Sequence, residues 1–178
     1  MPDDSDLLVR LRNGDGDALR QLYGRYKHDL LTVATCILAD PPAAEDVLHD
    51  VFVALAASAG RLRIRGSLRS YLVACVANRA RDQYRRRALQ EVPLDDIEVP
   101  SPEVEPVRTA MDGEDAERLR QALLRLPYEQ REVITLHLHG DLTFLEIARQ
   151  QEISVNTVTS RYRYGIDRLR TILTGVPT

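Results

Sequence analysis

Asp46 and Asp50 stand four residues apart, a spacing that sets both carboxylates on one side of a helix. Such a pair can face a basic partner helix, or can contribute to a metal site for phosphodiester cleavage. From Arg61 to Arg87, nine arginines (61, 63, 65, 69, 79, 81, 85, 86 and 87) stand against one acid, Asp82. The guanidinium is planar and permanently charged, so this segment suits phosphate. Tyr71 and Tyr84 lie among the arginines, and aromatic faces beside basic residues can stack on unpaired bases, while core packing is the competing role for Tyr71. A third set lies in "EIARQQEISVNTVTSRYR", Glu146 to Arg163. Small polar residues followed by arginines open its second helix, the part of a helix-turn-helix that reaches base edges.

The elements that must carry these groups are helical. Leu19, Leu22, Tyr23, Tyr26, Leu30, Val33, Ala34 and Ile37 recur at three- and four-residue steps, one face of a helix of about five turns. Asp40-Pro41-Pro42 ends it, because proline cannot continue the ladder. A second helix is expected over about 43–57 and a third over about 67–87, with a loop at Gly60–Gly66 between them. The segment "EVPLDDIEVPSPEVEPVRTAMDGED" has four prolines and no helical stripe, and reads as a flexible linker. Helical periodicity then returns at Leu119, Leu123, Leu126, Val133, Leu136 and Leu138, with Pro127 suited to a first turn.

Thr143-Phe144-Leu145-Glu146 is a capping box, Ala148 lets a second helix cross closely, and Ser154 is the expected N-cap of that helix. Val155, Val158 and Tyr162 are expected to face inward. Asn156, Thr157, Thr159, Ser160, Arg161 and Arg163 are expected to face outward, where amides and hydroxyls reach phosphates and arginine reaches guanine. Glu152 takes the turn position where glycine is common, at a cost of about 1 kcal/mol for a positive φ. Ile153 is placed to plug that turn.

Composition narrows the possibilities. The net charge of −3 hides a reversal of sign, since Leu89 to Glu117 carries ten acids against one base, Arg108. A polyanion-binding face beside an acidic tether follows. The tether's acids could lie over the arginine face and lower non-specific DNA binding. The N-terminus has neither a basic n-region nor a sustained apolar stretch, and no apolar run reaches spanning length, so a cytoplasmic chain with no membrane contact is expected. Cys36 and Cys75 sit inside apolar helical patterns and are expected to be reduced and buried. No Walker-type glycine loop is present, the four histidines are scattered, and no third ligand joins Asp46 and Asp50. No catalytic residue, metal or cofactor is expected.

Three motifs in order give the chain a family likeness. "AEDVLHDVFVAL" (44–55) resembles the "AEDLVQEVFLRL" of bacterial sigma factors of the extracytoplasmic-function (ECF) class of the sigma-70 family. "RGSLRSYLVACVANRARDQYRRR" (65–87) is similar to "RG…SFRAWLYRIARNLALDRLRRR" of that class. "LRQALLRLPYEQREVITLHLHGDLTFLEIARQQEISVNTVTSRYRYGIDRLR" resembles its second DNA-binding domain. The likeness implies an all-α chain of two small helical domains on a flexible acidic linker. Sigma domain 2 would span 1–88, the linker 89–113, and sigma domain 4, with the helix-turn-helix, 114–178.

The same likeness implies a transcription initiation factor, not an enzyme. Its partners would be core RNA polymerase, through the largest subunit's clamp helices and the β flap, and promoter DNA, with an anti-sigma factor as a candidate third. Asp46, His49, Asp50 and Phe52 match the polymerase-docking stretch. Arg65, Ser67 and Arg69 match the loop and helix start that hold the non-template strand, and Asn78 matches an asparagine that reads an unpaired −10 base. Tyr71, Arg81 and Arg85 belong to the same −10 surface. Thr159, Ser160, Arg163 and Tyr164 match −35 contacts, Asn156 and Thr157 match phosphate contacts, and Arg161 lies on the same −35 surface. Leu68 stands for the family's usual Phe, Tyr71 for its Trp, Thr159 for its Lys or Arg, and His49 for its Gln. A stand-alone helix-turn-helix regulator that needs no polymerase is the alternative. It would bind a palindromic operator, and Asp50→Arg would leave it intact.

Overall fold

The computed structural model describes residues 3–64, 66–90 and 113–175. Eight α-helices are seen among them: α1 (Asp4–Arg12), α2 (Gly16–Leu38), α3 (Pro41–Ser58), α4 (Leu68–Gln90), α5 (Gly113–Leu124), α6 (Tyr128–Leu138), α7 (Phe144–Gln151) and α8 (Val155–Thr174). A single 3-10 turn, Ala59–Arg61, follows α3. The acidic stretch read as a linker lies outside the described residues between 91 and 112, and so does the masking assigned to its acids.

The first half is a bundle of α2, α3 and α4 with α1 laid along α2. Their apolar stripes converge, and Leu22, Leu30, Val33, Ile37, Leu72, Val73 and Val76 are fully enclosed. The prolines at 41 and 42 do more than end α2. Asp40 accepts from the amide of Ala43 at 3.0 Å as the N-cap of α3, and both prolines sit in that helix's first turn, where a missing N–H costs nothing. α2 itself closes on Ala39, which takes a left-handed conformation at φ 58°.

The helix α1 was not anticipated. Its signals are local: Asp3 caps it by accepting from Asp6, acids fill its first turn, and Arg10 and Arg12 complement the dipole of its last. Leu7 and Leu11 bury one side of it, and the Tyr26 hydroxyl donates to Asp4, as does Arg25 at 2.5 Å.

In the second half α8 packs against α5, α6 and α7. Pro127 stands just outside α6, as its N-cap, rather than within its first turn. The two small helical domains pack against each other. One apolar core runs from Leu7 to Val158 across both, with α6 seated against α2 and α4. A smaller cluster of Ala122, Leu123, Leu126, Ile134 and Leu169 closes the far side of the second half. Cys36 is buried, and burial pushes its thiol up to about 11, while Cys75 is half-buried; both are free.

Candidate nucleic-acid interface

The helix-turn-helix forms as its sequence signals require. Thr143 Oγ1 accepts from the Glu146 amide at 3.2 Å, and the Glu146 carboxylate accepts from the Thr143 amide at 2.7 Å. The Thr143 amide, and then its hydroxyl, donate to the Glu146 carboxylate and hold it below its ordinary range. Glu152 does take the left-handed conformation, at φ 56° and ψ 40°, and Ile153 is half-buried against the core. Ser154 caps α8 by accepting from the Thr157 amide at 3.1 Å.

Val158 is fully buried and Tyr162 packs beside His137 and Phe144, so the inner side of α8 is fixed. Asn156, Thr159, Arg163 and Tyr164 are exposed, and Thr157, Ser160 and Arg161 half-buried. The Arg163 guanidinium lies 5.1 Å from the Tyr164 ring centroid. Two expectations change. Val155 is 39% exposed, because a first-turn residue next to the cap has no neighbouring helix above it. Arg161 turns aside to donate to Gln151 Oε1 at 3.3 Å, bridging the two helices of the motif.

On α3, Asp46, His49 and Asp50 share an exposed side, and Asp50 meets Arg79 of α4 at 3.4 Å. Phe52 is displaced from that set. It is 5% exposed and meets the Tyr23 ring edge-on at 5.0 Å, so it supports α3 from beneath instead of offering a surface.

Part of the arginine face of α4 meets the second half of the chain, while Arg79 and Arg87 pair with Asp50 and Asp40 of the first half. Arg69 donates to the backbone oxygens of His139 (2.7 Å) and Gly140 (3.2 Å) and to the Asp141 carboxylate (2.7 Å). Arg81 donates to Glu132 Oε1 at 2.6 Å, an ion pair whose side chains are 12% and 3% exposed. Asn78 accepts from Arg81 and, at 3.3 Å, from Gln150, whose amide also donates to the Ala74 carbonyl. Tyr84 stacks on Tyr128 with ring centroids 3.8 Å apart. Arg131 donates to the Ile37 carbonyl at the end of α2. Tyr71 is half-buried against the core, with its hydroxyl near Cys75. Ser67 and Arg85 are exposed, and Arg65 lies outside the described residues.

Burial shapes the electrostatics of this seam. It pushes the Glu132 carboxyl up although Arg81 pulls it down, and it lowers His139, beside Arg69, below the ordinary imidazole range. Tyr128 Oη, Arg131 Nε and Gln150 Oε1 are buried without partners. Each such atom costs about 1–3 kcal/mol, so the seam is held together against a polar penalty. Sequence reasoning missed Glu132, Gln150 and Asp141 because their partners lie 51 to 76 residues away, where no periodicity reports them.

The geometry thus defines an all-helical protein with a helix-turn-helix and a second basic helix. Comparison with known proteins makes this specific. The sigma-70 region 2 family profile matches residues 22–90, and the sigma-70 region 4 profile matches 116–169. The ECF RNA polymerase sigma factor SigM of Mycobacterium tuberculosis (strain H37Rv) is 30% identical over 172 residues, covering 96% of this chain and 84% of SigM. SigK of the same strain, also an ECF RNA polymerase sigma factor, is 25% identical over 173 residues, covering 94% of this chain and 91% of its own.

Among solved structures, the sigma factor RpoE of Bartonella quintana, in complex with the anti-sigma factor NepR, aligns with a TM-score of 0.69 at 20% identity. That alignment covers 87% of this chain and 96% of RpoE. CnrH, in complex with the cytosolic domain of CnrY, aligns with a TM-score of 0.63 at 22% identity over 95% of this chain and 96% of its own. The chain belongs to the ECF RNA polymerase sigma factors of the sigma-70 family. Matches to both regions do not favour a stand-alone regulator. No helix among the described residues is long and apolar enough to cross a membrane.

Proposed function

We propose that this chain joins core RNA polymerase through the exposed side of α3 and then reads a promoter twice. Asp46, His49 and Asp50 supply the polymerase contact, an acidic patch suited to a basic coiled coil. The N-terminal half of α8 enters the major groove at −35, with Arg163 and Thr159 at base edges and Asn156 and Thr157 on phosphates. After the duplex opens, Arg69, Asn78, Arg81 and Arg85 of α4 hold the −10 strand. Unstacking a base costs a few kcal/mol, which contacts to an amide and to arginines can offset. Residues 1–88 and 114–178 act as the two reading modules, with 89–113 as their tether.

The observation that carries this reading is the polarity of α8. One side is buried through Val158, Gly165 and Leu169, and the other offers an amide, a hydroxyl and an arginine to solvent beside a capped N-terminus. The protein is read as a cytoplasmic binding factor without a reaction of its own. Two solved relatives are held by protein partners, NepR and CnrY, and an anti-sigma factor is proposed for this chain by that likeness.

Run-off transcription with bacterial core polymerase on a genomic fragment pool tests the reading. Promoter-specific transcripts that need this chain are expected, and Asp50→Arg should abolish them. Transcription that ignores the chain, or that survives charge reversal at both Asp46 and Asp50, defeats it.

A further inference from the structure

Val155 and Thr159 give one side of α8 an apolar character that its polar sequence conceals. Val155 is 39% exposed, and Thr159, also exposed, follows it by four residues, so the two share a side. The Thr159 hydroxyl is not a free donor. It donates back to the Val155 carbonyl at 2.9 Å. Threonine often closes such a bond within a helix, and on an idle surface the bond would have no further consequence. On a helix placed to read bases it fixes what the side chain can offer. The one hydroxyl proton is taken, and the γ-methyl is the branch left to present. With the methyls of Val155 one turn behind, the first two turns of α8 carry an apolar strip. Arg163, four residues further on, ends the row, its guanidinium 3.4 Å from the Tyr164 hydroxyl.

We propose that Val155 and Thr159 form a methyl-reading strip that selects thymine at one position of the −35 element. The idea deepens the promoter reading above and rests on its placement of α8 in the major groove. Among the four bases only thymine shows a methyl group there, beside its O4 acceptor. Methyl against methyl removes apolar surface from water and needs no hydrogen bond. The other bases fit less well. Guanine presents two acceptors, O6 and N7, and asks for a donor that Thr159 has already spent. The amino groups of adenine and cytosine could donate to the hydroxyl oxygen, but Val155 beside them offers no acceptor, and a desolvated N–H left without a partner is costly. A lysine or arginine at 159 would instead reach for an acceptor. The row therefore has two chemistries: methyl groups near the capped end, and at Arg163 a guanidinium suited to guanine.

The test uses the full chain bound to core polymerase, on a promoter recovered from the run-off pool. Each −35 thymidine is replaced singly by deoxyuridine, which removes the 5-methyl group and keeps every hydrogen-bonding atom. Affinity for the duplex promoter is read by competition. At one position deoxyuridine should weaken wild-type binding by about fourfold, the worth of one buried methyl group. Thr159→Val keeps the methyl and drops the hydroxyl, and should retain that discrimination. Thr159→Ser keeps the hydroxyl and drops the methyl, and should bind thymine and uracil alike. Val155→Ala should narrow the difference without abolishing it. Both positions are exposed, so the helical signal of each variant should match wild type.

Equal binding of thymine and uracil at every −35 position overturns the strip. So does a −35 element without thymine. Discrimination that survives in Thr159→Ser and is lost in Thr159→Val overturns it too, since the hydroxyl would then be the reader. Failure of the promoter reading would look different. In that case the pool would yield no promoter that needs the chain, or Arg163→Ala and a scrambled −35 element would both leave its transcription unchanged.

Discussion

The two surfaces proposed to meet DNA are in opposite states in the free chain. Along α8, Asn156, Thr159, Arg163 and Tyr164 look into solvent. Along α4, Arg69, Asn78 and Arg81 already hold protein oxygens and an amide. Both surfaces are built from the same residue types on the same kind of helix. Side-chain chemistry therefore determines what each can bind, and tertiary packing determines whether it is available.

Truncation separates the two most sharply. Arg81→Ala leaves the Glu132 carboxylate buried and unpaired, and should destabilise the chain by about 3–5 kcal/mol in a urea melt. Arg163→Ala removes an exposed side chain and should move the same melt by less than about 0.5 kcal/mol. It should nevertheless weaken binding to a −35 duplex by about 1–3 kcal/mol. If both arginines melt alike, the contrast between covered and open surfaces is wrong.

A milder change sharpens the comparison by adjusting the open side. Glu152 is exposed and holds a left-handed backbone that glycine adopts without a Cβ penalty. Glu152→Gly should stabilise the helix-turn-helix by up to about 1 kcal/mol in thermal unfolding and leave single-strand binding as it was. The smallest effect concerns the far side of the second half. Hydrogen bonds from Arg120 and then Gln121 hold the Glu117 carboxyl down at about 2, against an ordinary 4.5. Its contribution is thus present above pH 4.5 and lost as pH falls toward 2. The group is 41% exposed, so less than about 1 kcal/mol is at stake. Acid titration of the helical signal should show that loss in wild type and not in Glu117→Gln.

The residues of both surfaces were legible in the sequence, but the covering of the second was not. The turn of the helix-turn-helix is fixed by neighbours: Thr143 with Glu146, Ser154 with Thr157, Glu152 with Ile153. Such pairs lie within four residues, and local rules find them. Even there the rules reach only so far, since Val155 fits the inward pattern but has no helix to pack on. Phe52 shows the converse. Its motif position suggests a contact, yet an aromatic flanked by Val51 and Leu55 on a buried stripe is claimed by the core. α1 was missed because its nine residues hold too few apolar turns to stand out, although its cap and charges were there to be seen. The pairing of Arg81 with Glu132 has no local signature at all. It exists because α6 docks between α2 and α4, which is a property of the assembled chain.

Gly165 carries a mechanical consequence. A Cβ there would stand 2.7 Å from Ile134 Cδ1 and 3.2 Å from Gln130 Cβ, so α8 lies on α6 with no room for a methyl group between them. The opposite side of α6 bears Glu132 and Tyr128. The helix proposed to read duplex and the helix that pairs with Arg81 are thus held back to back. Any tilt of α8 is therefore passed directly to the face of α6 that carries Glu132.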